Sequence, residues 1–273
     1  MAYATVMVHV TVDDPSDAHV RIATTLADRF MATLIGISSC ILPPYPSEGA
    51  YFVTRELVEE EQRDMALSLK RVEDAFRHHA GPGRTGIEWR SAIEVPDDYI
   101  AANARSGDLM VIARDRGRGG ICRTIDPGTT VLTSGRPVLL VPPGVDALTA
   151  EHVIVGWKES REARRALSDS LPFLHQAKAV SIIEVCDAGM EGPAQRHVDD
   201  IAQYLARHRI TVASALAVHA DDPATELMRR ASAENADLVV AGAYGHTRLG
   251  EWIFGGVTRS LLTTSPVCCL MAH

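Results

Sequence analysis

The sequence predicts an α/β protein made of two tandem copies of an open, mostly parallel five-stranded sheet with helices on both faces. Three observations predict it. Short apolar runs alternate with amphipathic helical patterns, as β–α units building a helix-covered parallel sheet do. The chain also repeats itself. Asp108-Leu-Met-Val-Ile112 matches Asp237-Leu-Val-Val-Ala241, and Arg136-Pro-Val-Leu-Leu-Val141 matches Ser265-Pro-Val-Cys-Cys-Leu270, both at an offset of 129 (237 − 108 and 265 − 136) and so without a gap. Earlier, Val6-Met-Val8 matches Val153-Ile-Val155 and Ala32-Thr-Leu-Ile35 matches Ala179-Val-Ser-Ile182, at an offset of 147 (153 − 6 and 179 − 32). Self-similarity over the whole length means two copies of one unit. Third, the strand-like run ending at Ala241 empties into a glycine-spaced loop and then a helix, the arrangement that gathers backbone N–H groups around an anion.

The first copy is longer by 18 residues (147 − 129), inserted between Cys40 and Pro96. The insertion begins with a proline-rich turn (Pro43, Pro44, Pro46) and continues in a long helix whose apolar face is Leu57, Met65, Leu69, Val72 and Phe76. Its closing strand is Val138–Val141, and Pro142-Pro143-Gly144 through Ala150 reads as a linker, so the predicted domains are 1–143 and 151–273. In the second copy, Val153–Val155 is a strand and Arg161 to Leu174 a helix. Val180 to Val185 is the second strand, and Pro193 to His208 a helix opened by proline. Thr211 to Val218 is the third strand, and Asp222-Pro223 starts a helix running to about Asn235. The strand at Leu238, a helix from Val257 to Leu262 and a closing strand at Val267–Leu270 complete the unit. Apolar closing strands left open invite aggregation, so pairing them with each other has a physical motive.

Composition narrows the function. Of 273 residues, 46% are hydrophobic and 23% charged, as in ordinary globular proteins, and the net charge of −8 gives no basic field for nucleic acid or an anionic membrane. The apolar run at Val138 stops at Pro142, far short of a membrane span. Five cysteines (Cys40, Cys122, Cys186, Cys268, Cys269) form no metal-ligand spacing and fit a reducing compartment. The opening Met1-Ala-Tyr-Ala-Thr lacks a signal-peptide pattern, so a cytoplasmic protein is expected. His78, His79, His208, His219 and His246 show no zinc-binding helical pair, so no metal site is expected. Neither a nucleophile elbow nor a lysine-bearing phosphate loop is present, and no catalytic residues are assigned.

The glycine loop reads Gly242-x2-Gly245-x9-Gly255-Gly256-Val257-Thr258. With the repeat, the strand order, the first turn Trp157-Lys158-Glu159-Ser160-Arg161-Glu162-Ala163 and the closing Pro266-Val267, it resembles the nucleotide-binding members of the universal stress protein family in tandem form. The resemblance covers essentially the whole chain, strongly in the second copy and weakly in the first. It implies an adenine-nucleotide alpha-hydrolase-like fold and a site outside the carboxyl ends of the strands. Carried over by position, Gly242, Gly245, Gly255, Gly256, Val257 and Thr258 surround ribose and phosphates, Gly156, Trp157 and Lys158 lie near the adenosine, and Val185 lies beside the base. The implied ligand is ATP or another adenine nucleotide, with or without Mg, and the implied role is a non-catalytic stress response acting through an unidentified protein partner. The two units are expected to pair through their closing strands; a homodimer is a further assembly compatible with the family.

The chain departs from the family at two positions: Lys158 stands where an acidic residue is usual, and Gly256 where Ser or Thr is. A small-ligand or protein-interaction module without ATP binding is therefore the alternative, and a slow ATPase the third reading. The glycine loop also reads as a tight turn for strand–helix packing, Trp157 as a cleft wall, Lys158 as a solvated side chain, and the Thr258 hydroxyl as a local backbone cap. His246 is a candidate phosphate neighbour. Arg114, Arg116, Arg118 and Arg123 form either an anion patch or a solvated loop. In the first copy Ala113, Arg116, Asp126 and Pro127 replace the four glycines, and Thr11, with Asp13 and Asp14 close by, replaces the acidic residue. That half is expected not to hold ATP.

Overall fold

The computed structural model describes residues 2–12, 18–42, 54–81, 83–114, 124–245 and 255–273. The first half runs β1 (Thr5–His9), α1 (Ala18–Phe30), β2 (Thr33–Ser39), α2 (Arg55–Ala80), β3 (Ile87–Ala92), α3 (Pro96–Asn103), β4 (Leu109–Ala113), α4 (Pro127–Thr133) and β5 (Val138–Val141). The second runs β6 (His152–Trp157), α5 (Arg161–Leu174), β7 (Ala179–Cys186), α6 (Glu191–Arg207), β8 (Ser214–His219), α7 (Pro223–Ala233), β9 (Leu238–Gly242), α8 (Gly256–Thr263) and β10 (Cys268–Ala272).

The two five-stranded units are not separate sheets. They form one ten-stranded sheet in the order β3-β2-β1-β4-β5-β10-β9-β6-β7-β8, parallel within each half. The order is palindromic about one antiparallel seam, where Leu140 pairs Cys269, Leu139 pairs Leu270 and Val138 pairs Met271. All six of these residues are buried, so the seam closes two apolar edges at once. Helices α1, α2, α5 and α6 cover one face of the sheet and α3, α4, α7 and α8 the other. Across the halves, Tyr3, Phe30 and Phe173 pack edge to face at 5.1–5.6 Å.

The repeated aspartate has a structural cause. Asp108 accepts the N–H groups of Ala4 and Thr5 at 2.8 and 3.0 Å, holding the start of β1 beside β4. Asp237 does the same for β6, accepting from Glu151 and His152 at 3.3 and 3.1 Å and from the Thr149 hydroxyl.

Several sequence expectations need correction. Leu57 is 41% exposed, because the buried face of α2 begins only at Met65. The proline-rich turn lies outside the described residues. Helix α6 opens at Glu191, with Pro193 inside its first turn, and β8 begins at Ser214 rather than Thr211. The repeat also slips. Thr5 pairs Thr33 while His152 pairs Ala179, so the second strands correspond at 146 (179 − 33), not 147. Met110 pairs Val138 while Val239 pairs Cys269, so the closing strands correspond at 131 (269 − 138), two beyond the ungapped match. A one-residue slip exchanges the faces of a strand, which matters for every position compared between the halves.

Candidate functional site

Strand β9 ends at Gly242 against the opening turn of α5. A Cβ there would stand 2.5 Å from the Ala163 nitrogen and 2.6 Å from the Glu162 carbonyl carbon. The first glycine of the motif is thus required by strand–helix packing, as the tight-turn reading held. None of Gly242, Gly245, Gly255 and Gly256 has positive φ; among the described residues of the loop the left-handed one is Tyr244, at φ 63°. These glycines give close approach and open space rather than an unusual backbone. At Gly245 a Cβ would meet Glu162 Oε2 at 3.1 Å and Ser160 Oγ at 3.2 Å, whereas at Gly255 and Gly256 it would meet nothing within 4 Å.

Helix α8 starts at Gly256 with Gly255 as its N-cap, and among the described residues no side chain caps it. The amides of a first helical turn have no intrahelical acceptor, and a glycine cap leaves them to whatever occupies the adjoining space. That space is a cavity of about 310 Å³ at the carboxyl ends of β6, β7 and β9. All ten sequence-predicted residues line it: Gly156, Trp157, Lys158 and Val185 on one side, and Gly242, Gly245, Gly255, Gly256, Val257 and Thr258 on the other. The Thr258 hydroxyl is not idle. It accepts the N–H of Tyr244 at 3.5 Å and ties the glycine loop to the helix.

The β7 side is an apolar slot between Val185 and Ile183 of the sheet and Leu227 of α7, and a Cβ at Gly156 would stand 3.1 Å from Leu227. Trp157 is 4% exposed and forms wall, with its Nε1–H sealed and without a hydrogen-bond partner. Lys158 is exposed at the cavity. The one carboxylate among the described lining residues, Asp222, caps α7: it accepts from the N–H groups of Ala224 and Thr225 at 3.0 and 3.3 Å and from the Thr225 hydroxyl at 2.6 Å, which lowers its pKa. Beside Gly245, buried Glu162 is held charged. Burial opposes ionisation, but hydrogen bonds from its own N–H, from Arg161 (2.6 Å) and from Ser160 win, and its pKa is lowered. The arrangement can bind a ligand with one apolar, flat end and one anionic end.

The sequence reading missed Ser160, Ala163, Ile183, Asp222, Leu227 and Tyr244 in this lining. Ile183 was within reach, because it shares the face of Val185 by strand alternation. Leu227 and Asp222 come from a helix whose position over the slot only the sheet order fixes. His246, Arg116, Arg118 and Arg123 lie outside the described residues. Arg114 donates to the Ser265 carbonyl across the seam, a tie between the halves. Among the described residues no group of three or more metal-ligating side chains gathers, and no helix is long and apolar enough to cross a membrane.

The corresponding place in the first half holds side chains. Asp126 caps α4, taking the Thr129 N–H at 2.7 Å and its hydroxyl at 2.9 Å, and Pro127 follows with no N–H to offer. By strand register His9 occupies the position of Gly156 (156 − 9 is 147). It is 2% exposed, and its pKa falls to about 3, first through burial and then through the charge of His19. A neutral imidazole that must charge on unfolding costs stability below the unfolded pKa of about 6.5, at about 1.4 kcal/mol per pH unit. This contribution is intact above pH 6.5 and is lost progressively as pH falls toward the folded value near 3. We expect His9→Gln to be about 3 kcal/mol less sensitive than the native chain to a change from pH 7 to pH 4.5, measured by urea unfolding. Equal acid sensitivity of the two proteins would show that His9 is not the group responsible.

The comparisons with known proteins agree with this architecture. A family model described as the universal stress protein family matches residues 149–273. No curated protein sequence matches the chain. Among solved structures, a universal stress protein from Archaeoglobus fulgidus DSM 4304 superposes with a TM-score of 0.71 at 15% identity, covering 98% of this chain and 95% of that one. A functionally unknown protein from Pseudomonas aeruginosa PAO1 gives 0.63 at 15% identity, covering 99% and 92%. At these identities the likeness is one of fold, and it extends over both halves.

Proposed function

We propose, of a chain that belongs to the universal stress protein family through residues 149–273, that its C-terminal cavity binds an adenine nucleotide and that this binding, not catalysis, is its activity. The observation that carries the reading is the pairing of an apolar slot with an uncapped helix start in one cavity of about 310 Å³, a size and lining typical of small-ligand sites. The base lies between Val185 and Leu227, and the phosphates meet the opening amides of α8 beside Gly245 and Gly255. Mg, where the nucleotide carries it, would be held by the phosphate oxygens, since among the described residues no carboxylate set gathers.

The first half holds no nucleotide, because Asp126 and Pro127 take the donors' place. The two halves, 1–143 and 151–273, act as two domains locked through the seam, and the nucleotide state of one is read by a protein partner in the cytoplasm. Equilibrium dialysis of the full chain against labelled ATP and AMP, with and without Mg, tests this. One bound nucleotide per chain is expected. No binding at millimolar concentration removes the reading in favour of an interaction module, and two per chain contradicts the closed first half.

A further inference from the structure

We infer that the nucleotide selected by this cavity carries a second phosphate on its ribose, and that Lys158 is the residue that selects it. The inference rests on the nucleotide reading above and deepens it. Sheet order supplies the geometry. Strand β6 lies between β9 and β7. The amide end of the cavity belongs to β9 and α8, and the apolar slot to β7 and α7. A ligand with its base in the slot and its 5′-phosphate on the amides therefore lays its sugar across the end of β6, where the chain continues into Lys158.

The charge balance at that point is cationic. Lys158 is the one formal cation among the described residues lining the cavity, and the one lining carboxylate, Asp222, is already spent on the cap of α7. Among the described residues Lys158 makes no direct ion pair; Glu159 pairs with Arg164, and Glu184, 3.2 Å from His197, feels the charge of Lys158 without bonding to it. An ammonium is donor-only and a compact point charge. A carboxylate in its place would accept hydrogen bonds from the ribose diol; a lysine recognises an anion there instead. The class so defined is the adenosine 2′,5′- or 3′,5′-bisphosphate, free or as the nucleotide end of a larger cofactor.

Calorimetric titration of the full chain with AMP, adenosine 2′,5′-bisphosphate and adenosine 3′,5′-bisphosphate tests the inference, repeated on Lys158→Met. At least one bisphosphate is expected to bind the native chain tenfold or more tightly than AMP. The Met variant, altered at an exposed position, should lose that preference, its affinities for AMP and for the bisphosphates converging. Which isomer is preferred places the phosphate. Titration with a pantetheine- or nicotinamide-bearing analogue of that isomer then tells a free nucleotide from a cofactor end, by whether the added group is accepted or excluded. AMP and both bisphosphates binding native protein alike, or a preference that survives in the Met variant, overturns the inference and leaves the nucleotide reading standing. No binding by any of the three overturns both.

Discussion

Replacing Gly242 with alanine is expected to destabilise the protein by about 3 kcal/mol, and to do so with or without nucleotide. The added Cβ would stand 2.5 Å from the Ala163 nitrogen, 2.6 Å from the Glu162 carbonyl carbon and 2.9 Å from the Ala163 Cα. All three atoms are backbone of the first turn of α5, which is fixed by Ser160 accepting the Ala163 N–H at 3.1 Å and by the packing of α5 onto β9 and β10. Relief requires moving the helix off the strand, and overpacking of this kind costs about 1–3 kcal/mol or more. For a chain of this size that lowers the thermal midpoint by roughly 6–10 °C. Gly256→Ala is the control. A Cβ there meets nothing within 4 Å, and alanine is the better helix former, so its midpoint should equal or exceed the native one. A Gly242→Ala protein as stable as the native chain would show that α5 and β9 yield more readily than this packing implies. The consequence for function is practical: loss of binding in a Gly242 variant would report on the fold, not on a phosphate contact.

Much of this architecture was legible in the sequence, for identifiable reasons. Arg161–Leu174 is a helix over the predicted span because Ser160 caps it and its apolar stripe is regular. The closing strands pair as expected because both are apolar edges. What misled was similarity of letters across the repeat. Arg136-Pro-Val and Ser265-Pro-Val align by eye, but the structure matches Ser134 with Ser265: each hydroxyl donates to the carbonyl two residues on, Arg136 at 3.1 Å and Val267 at 2.9 Å. A side-chain hydrogen bond at a turn, not the proline, marks the equivalent position.

The candidate site was legible where it is made of glycine and invisible where it depends on neighbours in space. Spacing alone marked Gly245, Gly255 and Gly256. It could not separate Gly242, needed for packing, from Gly255, whose missing side chain opens the cavity. In the first half, Asp126 was visible as a loss of glycine; the 147 offset of the first strands already set His9 opposite Gly156, but only the structure shows its imidazole buried there.

The most direct measurement is the calorimetric affinity of the full chain for AMP and ATP before and after Gly255→Asp. The change copies into the second half the cap that Asp126 provides in the first, where 255 − 126 is the same 129 that relates β4 to β9. The position has extended backbone (φ −57°, ψ 142°) close to that of Asp126 (φ −88°, ψ 118°), and open space for the side chain. An aspartate cap gains a few tenths of a kcal/mol over glycine, with about 0.3–1 kcal/mol more from the helix dipole, so the thermal midpoint should hold or rise. Its carboxylate takes the amides and repels an incoming phosphate, and affinity should fall on the order of 100-fold or more, about 2.7 kcal/mol. A stable Gly255→Asp protein that has lost nucleotide is the predicted result; one that binds as tightly as the native chain contradicts the claim that the open start of α8 holds the anion.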